Sequence, residues 1–197
     1  MKQSRLIPAV ALVFAACGGG DAPDAPPAEA PPEAPAPAPA GPAAPTGPLS
    51  MPDWYTVDHD NQTVVLAIEA GTTPDNNYWN YNGYTNGQIA ISVPVGYTVD
   101  IELTNSDPNM AHSVGISSEL SNFTMPPSPE PVFAGAISSN PQSMVDATMP
   151  GEVETITFVA DQAGNYSMVC YIAGHSAVGM WLFFDVSADN EAGVRGM

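Results

Sequence analysis

The sequence predicts an all-β domain of the sandwich or barrel class, and three observations predict it. Short segments with period-two alternation recur between Met51 and Ser187, clusters of Gly, Pro, Asn and Asp separate them, and no window carries a convincing amphipathic helical stripe. About 137 residues are available there, enough for one hydrophobic core of ordinary size.

The expected strands, in order, are Trp54–Val57, Thr63–Glu69, Gln88–Val93, Thr98–Thr104, His112–Ile116, Val153–Val159, Tyr166–Cys170 and Met180–Val186. Each is rich in β-branched or aromatic side chains and ends at a turn former. In Val153–Val159, Val153 and Val159 share one side with two threonines while Ile156 and Phe158 take the other, which predicts cover on both faces. Between Leu120 and Met149, prolines at 126, 127, 129, 131 and 141 break any long element, so this stretch reads as an irregular excursion between strands.

The ends of the chain differ in composition from this middle. Lys2 and Arg5 precede an apolar run from Leu6 to Ala16, too short to span a bilayer and suited to an export signal over residues 1–16. The run closes at Phe14-Ala-Ala-Cys17, which resembles a bacterial lipoprotein box with Cys17 as the lipidated residue, although Phe14 stands where that box usually has Leu. Residues 17–50 are then a Pro/Ala-rich linker too poor in large apolar side chains to order itself, and 188–197 a C-terminal tail. This places the protein outside the cell's interior, periplasmic or at the cell surface, on a lipid anchor.

The chemistry concentrates in Cys170-Tyr-Ile-Ala-Gly-His175-Ser-Ala-Val-Gly-Met180, where a thiol, an imidazole and a thioether follow one another with four residues between each. Copper favours a thiolate and imidazoles in a plane with a long axial thioether, so one loop delivers three of four donors. His112 supplies the second imidazole from Asn109-Met-Ala-His-Ser-Val, where a polar turn runs into an alternating segment. The candidate metal ligands are therefore His112, Cys170, His175 and Met180. His59, between Asp58 and Asp60, reads as a solvated histidine, and Met110 as a residue of the site's rim. Ser113 is placed to offer a hydrogen bond to the Cys170 sulfur. The two cysteines, Cys17 and Cys170, each have a role other than a disulfide.

The chain resembles the cupredoxins, and among them the sulfocyanin and rusticyanin group, whose ligand loop is also Cys-x4-His-x4-Met. The likeness extends to Trp79-Asn-Tyr-Asn-Gly-Tyr, Ile91-Ser-Val-Pro-Val-Gly-Tyr-Thr-Val, His112-Ser-Val and Phe133-Ala-Gly-Ala-Ile-Ser-Ser-Asn-Pro, over roughly residues 53–187. It implies a Greek-key β-sandwich holding one type 1 copper ion, Cu(I)/Cu(II), in a monomeric electron-transfer protein. The partners it implies are redox proteins such as a cytochrome or terminal oxidase.

Specific absences argue against catalysis. Four protein donors leave no open position for a substrate. Cys170 has Val169 and Tyr171 as neighbours, so no adjacent histidine leads to a second copper, and the loop lacks the second cysteine of a dinuclear centre. The alternative is a non-redox copper carrier, although a cysteine clamped between two strands suits retention better than hand-over. Docking is expected on an apolar collar of Ala173, Gly174, Ala177, Val178 and Gly179 around His175.

Between Met51 and Ser187 there is no Lys or Arg. Once Lys2 and Arg5 leave with the signal, Arg195 is the one basic side chain against 21 acidic ones. Burial, strand pairing and metal must hold such a domain together against its own repulsion, which high salt or low pH would relieve.

Overall fold

A computed structural model describes residues 42–197. The export signal, Cys17 and the linker as far as residue 41 lie outside the described residues.

Among the described residues, nine strands form two sheets. They are β1 (Tyr55–Asp58), β2 (Thr63–Ala70), β3 (Ala90–Pro94), β4 (Thr98–Asn105), β5 (Gly115–Ser117), β6 (Val153–Val159), β7 (Gly164–Val169), β8 (Trp181–Ser187) and β9 (Gly193–Arg195). One sheet runs β1-β2-β4-β6 and the other β5-β7-β8-β3-β9. The pairs β2–β4 and β3–β8 are parallel and the remaining ladders antiparallel. Two short 3-10 turns, Asp75–Tyr78 and Ser176–Val178, complete the regular structure of an all-β sandwich.

Alternation fixes which face each strand buries. Val64, Leu66 and Ile68 of β2 and Val99, Ile101 and Leu103 of β4 point inward, against Ile91 and Val93 of β3 and Leu182 and Phe184 of β8. Each fully buried aliphatic side chain contributes about 1.5–3 kcal/mol. That term has to dominate here, because Arg195–Glu191 is the one ion pair among the described residues, His112–Asp107 being a hydrogen bond from a neutral imidazole.

Three expectations are corrected. β6 is an edge strand with one covered face: Ile156 and Phe158 are buried, while Val153 and Val159 are 65% and 47% exposed. Residues 188–197 are not a free tail, since β9 pairs with β3 and Arg195 donates to Ser92 Oγ (2.8 Å) and to the Gly47 carbonyl (3.2 Å). The last residues read as linker also pack on the domain. Ser50 exchanges two backbone bonds with Val194, and Ala44 lies with Phe123 and Ile137 on a second apolar cluster of Ala90, Val169, Tyr171, Trp181 and Phe183. The five-stranded sheet is thereby covered on its outer face as well, which composition alone could not reveal.

The fifth strand starts three residues later than expected. His112 precedes it in an isolated bridge to Thr148, so the end of the irregular excursion returns to the segment that carries the histidine.

Candidate metal centre

The sandwich brings His112, Cys170 and His175 together from two separate segments. One side-chain donor atom from each lies within 4.8 Å of the others, and the three residues are 0%, 0% and 1% exposed. Met180, immediately before β8, is also fully buried.

The loop from Cys170 to Met180 closes on itself. Cys170 N–H donates to the Met180 carbonyl (3.2 Å), His175 N–H to Ile172 (3.1 Å) and Met180 N–H to His175 (2.9 Å). Gly179 is required where it stands. Its φ of +116° is left-handed, and a Cβ there would lie 2.5 Å from the Asn86 side chain. Asn86 N–H in turn donates to the Gly179 carbonyl (2.7 Å), docking the preceding turn on this loop.

His112 is held from the other side. Its Nε2 lies 2.9 Å from Asp107 Oδ2, and because a carboxylate only accepts, Nε2 carries the proton and Nδ1 is left with its lone pair. Asp107 Oδ1 also accepts from the Asn109 and Met110 N–H groups, and buried Asn105 donates to the Met110 and Thr148 carbonyls. The turn is thus fixed by polar bonds before it reaches the histidine.

Both Nδ1 atoms face the thiol, with Cys170 Sγ 4.0 Å from His112 and 3.6 Å from His175. A metal bound at the roughly 2.0–2.3 Å of imidazole and thiolate bonds separates donors in a trigonal plane by about 3.5–4 Å. The geometry fits such an ion, and the donor set of two imidazoles, thiol and neighbouring thioether suits copper.

Burial pushes the Cys170 thiol up, opposed by hydrogen bonds from the backbone N–H groups of Ser113 and Ile172 and from the Ser113 hydroxyl. A cation would reverse that balance and hold the thiolate. Burial likewise pushes both imidazoles down. His175 reaches about 3, with His112 adding to the effect, whereas the Asp107 carboxylate partly restores His112. Both are neutral and ready to coordinate over a wide pH range.

Ser113 stands where the sequence placed it: its hydroxyl is 3.7 Å from Cys170 Sγ and accepts from Tyr171 N–H (3.0 Å). His59 is exposed and bonded to the Tyr97 hydroxyl, away from the centre. Met110 lines a shallow cleft with Asn77, Tyr78, Asn109 and Asp107, beside the His112 anchor. Of the collar, Ala173, Ala177 and Val178 are exposed, while Gly179 is buried.

Sequence reasoning missed Asp107, Tyr81 and Trp79. Tyr81 donates its hydroxyl to the Ser113 carbonyl, and the Trp79 indole stacks on His175 with centroids 4.0 Å apart at 17°. The one available signal was the Trp79-Asn-Tyr-Asn-Gly-Tyr motif, which contains both aromatic residues.

A family model described as the sulfocyanin (SoxE) domain matches residues 54–193. Sulfocyanin of Sulfolobus acidocaldarius is 33% identical over 129 residues, covering 61% of this chain and 62% of that protein. The chain thus spans less than two thirds of that relative. Rusticyanin of Acidithiobacillus ferrooxidans is 27% identical over 128 residues, covering 64% of this chain and 77% of its own. A solved structure of a rusticyanin variant aligns at 22% identity over 68% of this chain and 88% of its own, with a TM-score of 0.48. Auracyanin from Roseiflexus castenholzii aligns at 23% over 64% and 97%, with a TM-score of 0.43.

Proposed function

The chain belongs to the sulfocyanin domain family of blue copper cupredoxins, and from that premise we propose that it is a mononuclear type 1 copper protein shuttling one electron between redox partners of an exported respiratory chain. The observation that carries this reading is the sealed triangle of Cys170 Sγ and two Nδ1 atoms.

Copper bound here would supply a one-electron Cu(I)/Cu(II) couple, and His112, Cys170, His175 and Met180 are the residues that would hold it. Asp107 orients His112. The Ser113 hydroxyl and two backbone N–H groups stabilise negative charge on the sulfur, and Tyr81 holds Ser113 in place through its carbonyl. With every donor at most 1% exposed, no reactant reaches the metal, and the site suits electron passage over substrate chemistry. The same sealing disfavours a carrier that must hand its ion over.

Adding Cu(II) to the purified protein tests the reading. The expected result is an intense blue or green colour at one copper per chain, lost in Cys170→Ser. A colourless wild-type complex, or an equally coloured serine variant, would remove the thiolate from the site.

We further propose export and a lipid anchor on Cys17. The support is the basic, apolar and small-residue pattern of residues 1–17. Wild type should partition with membranes and Cys17→Ser with the soluble exported fraction; identical partitioning rules out the anchor. Cytochromes or a terminal oxidase are the partner class this reading favours.

A further inference from the structure

The ligand that should meet a redox partner is not itself at the surface. His175 is 1% exposed, and the partly exposed Trp79 indole lies flat against its ring, 4.0 Å away between centroids and 17° from parallel. We propose that Trp79 is the electron port of this protein, so that the electron enters and leaves through the indole and not across the small-residue collar. This rests on the electron-transfer reading above.

Three observations converge on Trp79. The stack is the closest and flattest ring contact of the centre; His112 meets His175 at 5.1 Å and 59°, a tilted contact with little π overlap. The indole Nε1 is buried and has no hydrogen-bond partner among the described residues, so the polar group that usually justifies a buried tryptophan over a phenylalanine is idle here. The backbone that delivers the ring is strained. Asn76, Asn77 and Tyr78 are consecutive non-glycine residues at φ of 51°, 59° and 64°. Such conformations persist only when the surroundings impose them. Asn76 Nδ2 donates to the Trp79 carbonyl (2.8 Å), and buried Asn80 donates to the Thr73 and Asp75 carbonyls, pinning the turn. The fold thus spends strain to set an aromatic plane on a ligand ring.

Electron self-exchange between copies of the copper-loaded protein reads the port directly. One Cu(I) site is oxidised as one Cu(II) site is reduced, no proton or bond changes hands, and the driving force is zero whatever a substitution does to the reduction potential. The measurement is NMR line broadening of the Cu(I) protein on adding small fractions of the Cu(II) form. It is made at about 1 M salt, where a Debye length of about 3 Å screens repulsion between acidic copies.

Trp79→Leu should slow self-exchange by about an order of magnitude while keeping the colour and one copper per chain. Trp79→Phe, which retains a stacking ring and loses no hydrogen bond, should stay close to wild type. A Trp79→Leu rate equal to or above wild type would mean that the His175 edge is the port and the indole only a cover. A phenylalanine variant as slow as leucine, or loss of colour in the leucine variant, also overturns the proposal. A colourless wild type would instead sink the electron-transfer reading itself.

Discussion

The two histidines of the centre are the same side chain held by different forces. His112 sits in a polar turn, where Asp107 accepts from its ring and from two backbone N–H groups, and Asn105 ties the turn to Thr148. Among the described residues, His175 has no hydrogen-bonding side chain behind its ring. Its loop closes through backbone bonds, and the Trp79 face holds the imidazole. A hydrogen bond to a carboxylate is directional and expensive to break inside a protein, whereas a stack resists tilting but tolerates exchange of one aromatic for another. One ligand is therefore an anchor and the other a contact.

Removing the anchor should have the largest effect. Asp107→Ala leaves the His112 Nε2–H unpaired at a fully buried position, a cost of about 1–3 kcal/mol in stability. Copper affinity should fall about 10- to 100-fold, as for other groups that orient a metal-bound histidine. Denaturant titration and competition with a copper chelator measure the two effects. Asp107→Asn, which still offers an amide oxygen, should recover much of the loss. If alanine matches wild type in both assays, His112 is oriented by its backbone and the contrast disappears.

Losing the stack should cost less. An aromatic pair is worth about 0.5–1.5 kcal/mol, so Trp79→Leu should weaken copper binding by at most about tenfold. Affinity losses as large as those of Asp107→Ala would show that the two histidines are held equally firmly.

The smallest change in affinity belongs to the donor held by neither device. Met180→Leu nearly conserves volume and removes a weak axial thioether, so the colour should survive and the reduction potential rise, because Cu(II) loses more than Cu(I). Voltammetry decides this. An unchanged potential would exclude Met180 as the axial donor.

How much of this was legible in advance follows from how local each signal is. Cys170, His175 and Met180 lie on one loop, and a fixed spacing is a property of the chain itself. His112 needed a turn-to-strand transition and a family likeness. Asp107 was invisible because an acidic residue before Pro108 reads as a turn former; only the folded turn shows its second oxygen on the histidine. Trp79 stacks on a residue 96 positions later, a pairing no local pattern encodes. The strands with strong alternation appeared close to their expected places, and Val153–Val159 matched at both ends. β9 did not, since Gly193-Val-Arg195 offers a single buried apolar residue, Val194, and pairs only because β3 lies beside it. The one basic side chain of the described residues is spent there, joining β9 to Ser92 and Gly47.

The self-closed loop has a kinetic meaning. Cys170, His175 and Met180 are linked to one another by backbone hydrogen bonds that do not involve the metal, and Asn86 fastens the loop at Gly179. Cu(I) and Cu(II) prefer different coordination shapes in free solution, and an electron cannot jump until the nuclei reach a compromise between them. With copper bound, this loop would impose the compromise, because drawing the donors far in either oxidation state would break main-chain bonds. On the proposed reading the reorganisation energy would thereby be kept small, leaving distance and contact to the next redox centre to govern the rate.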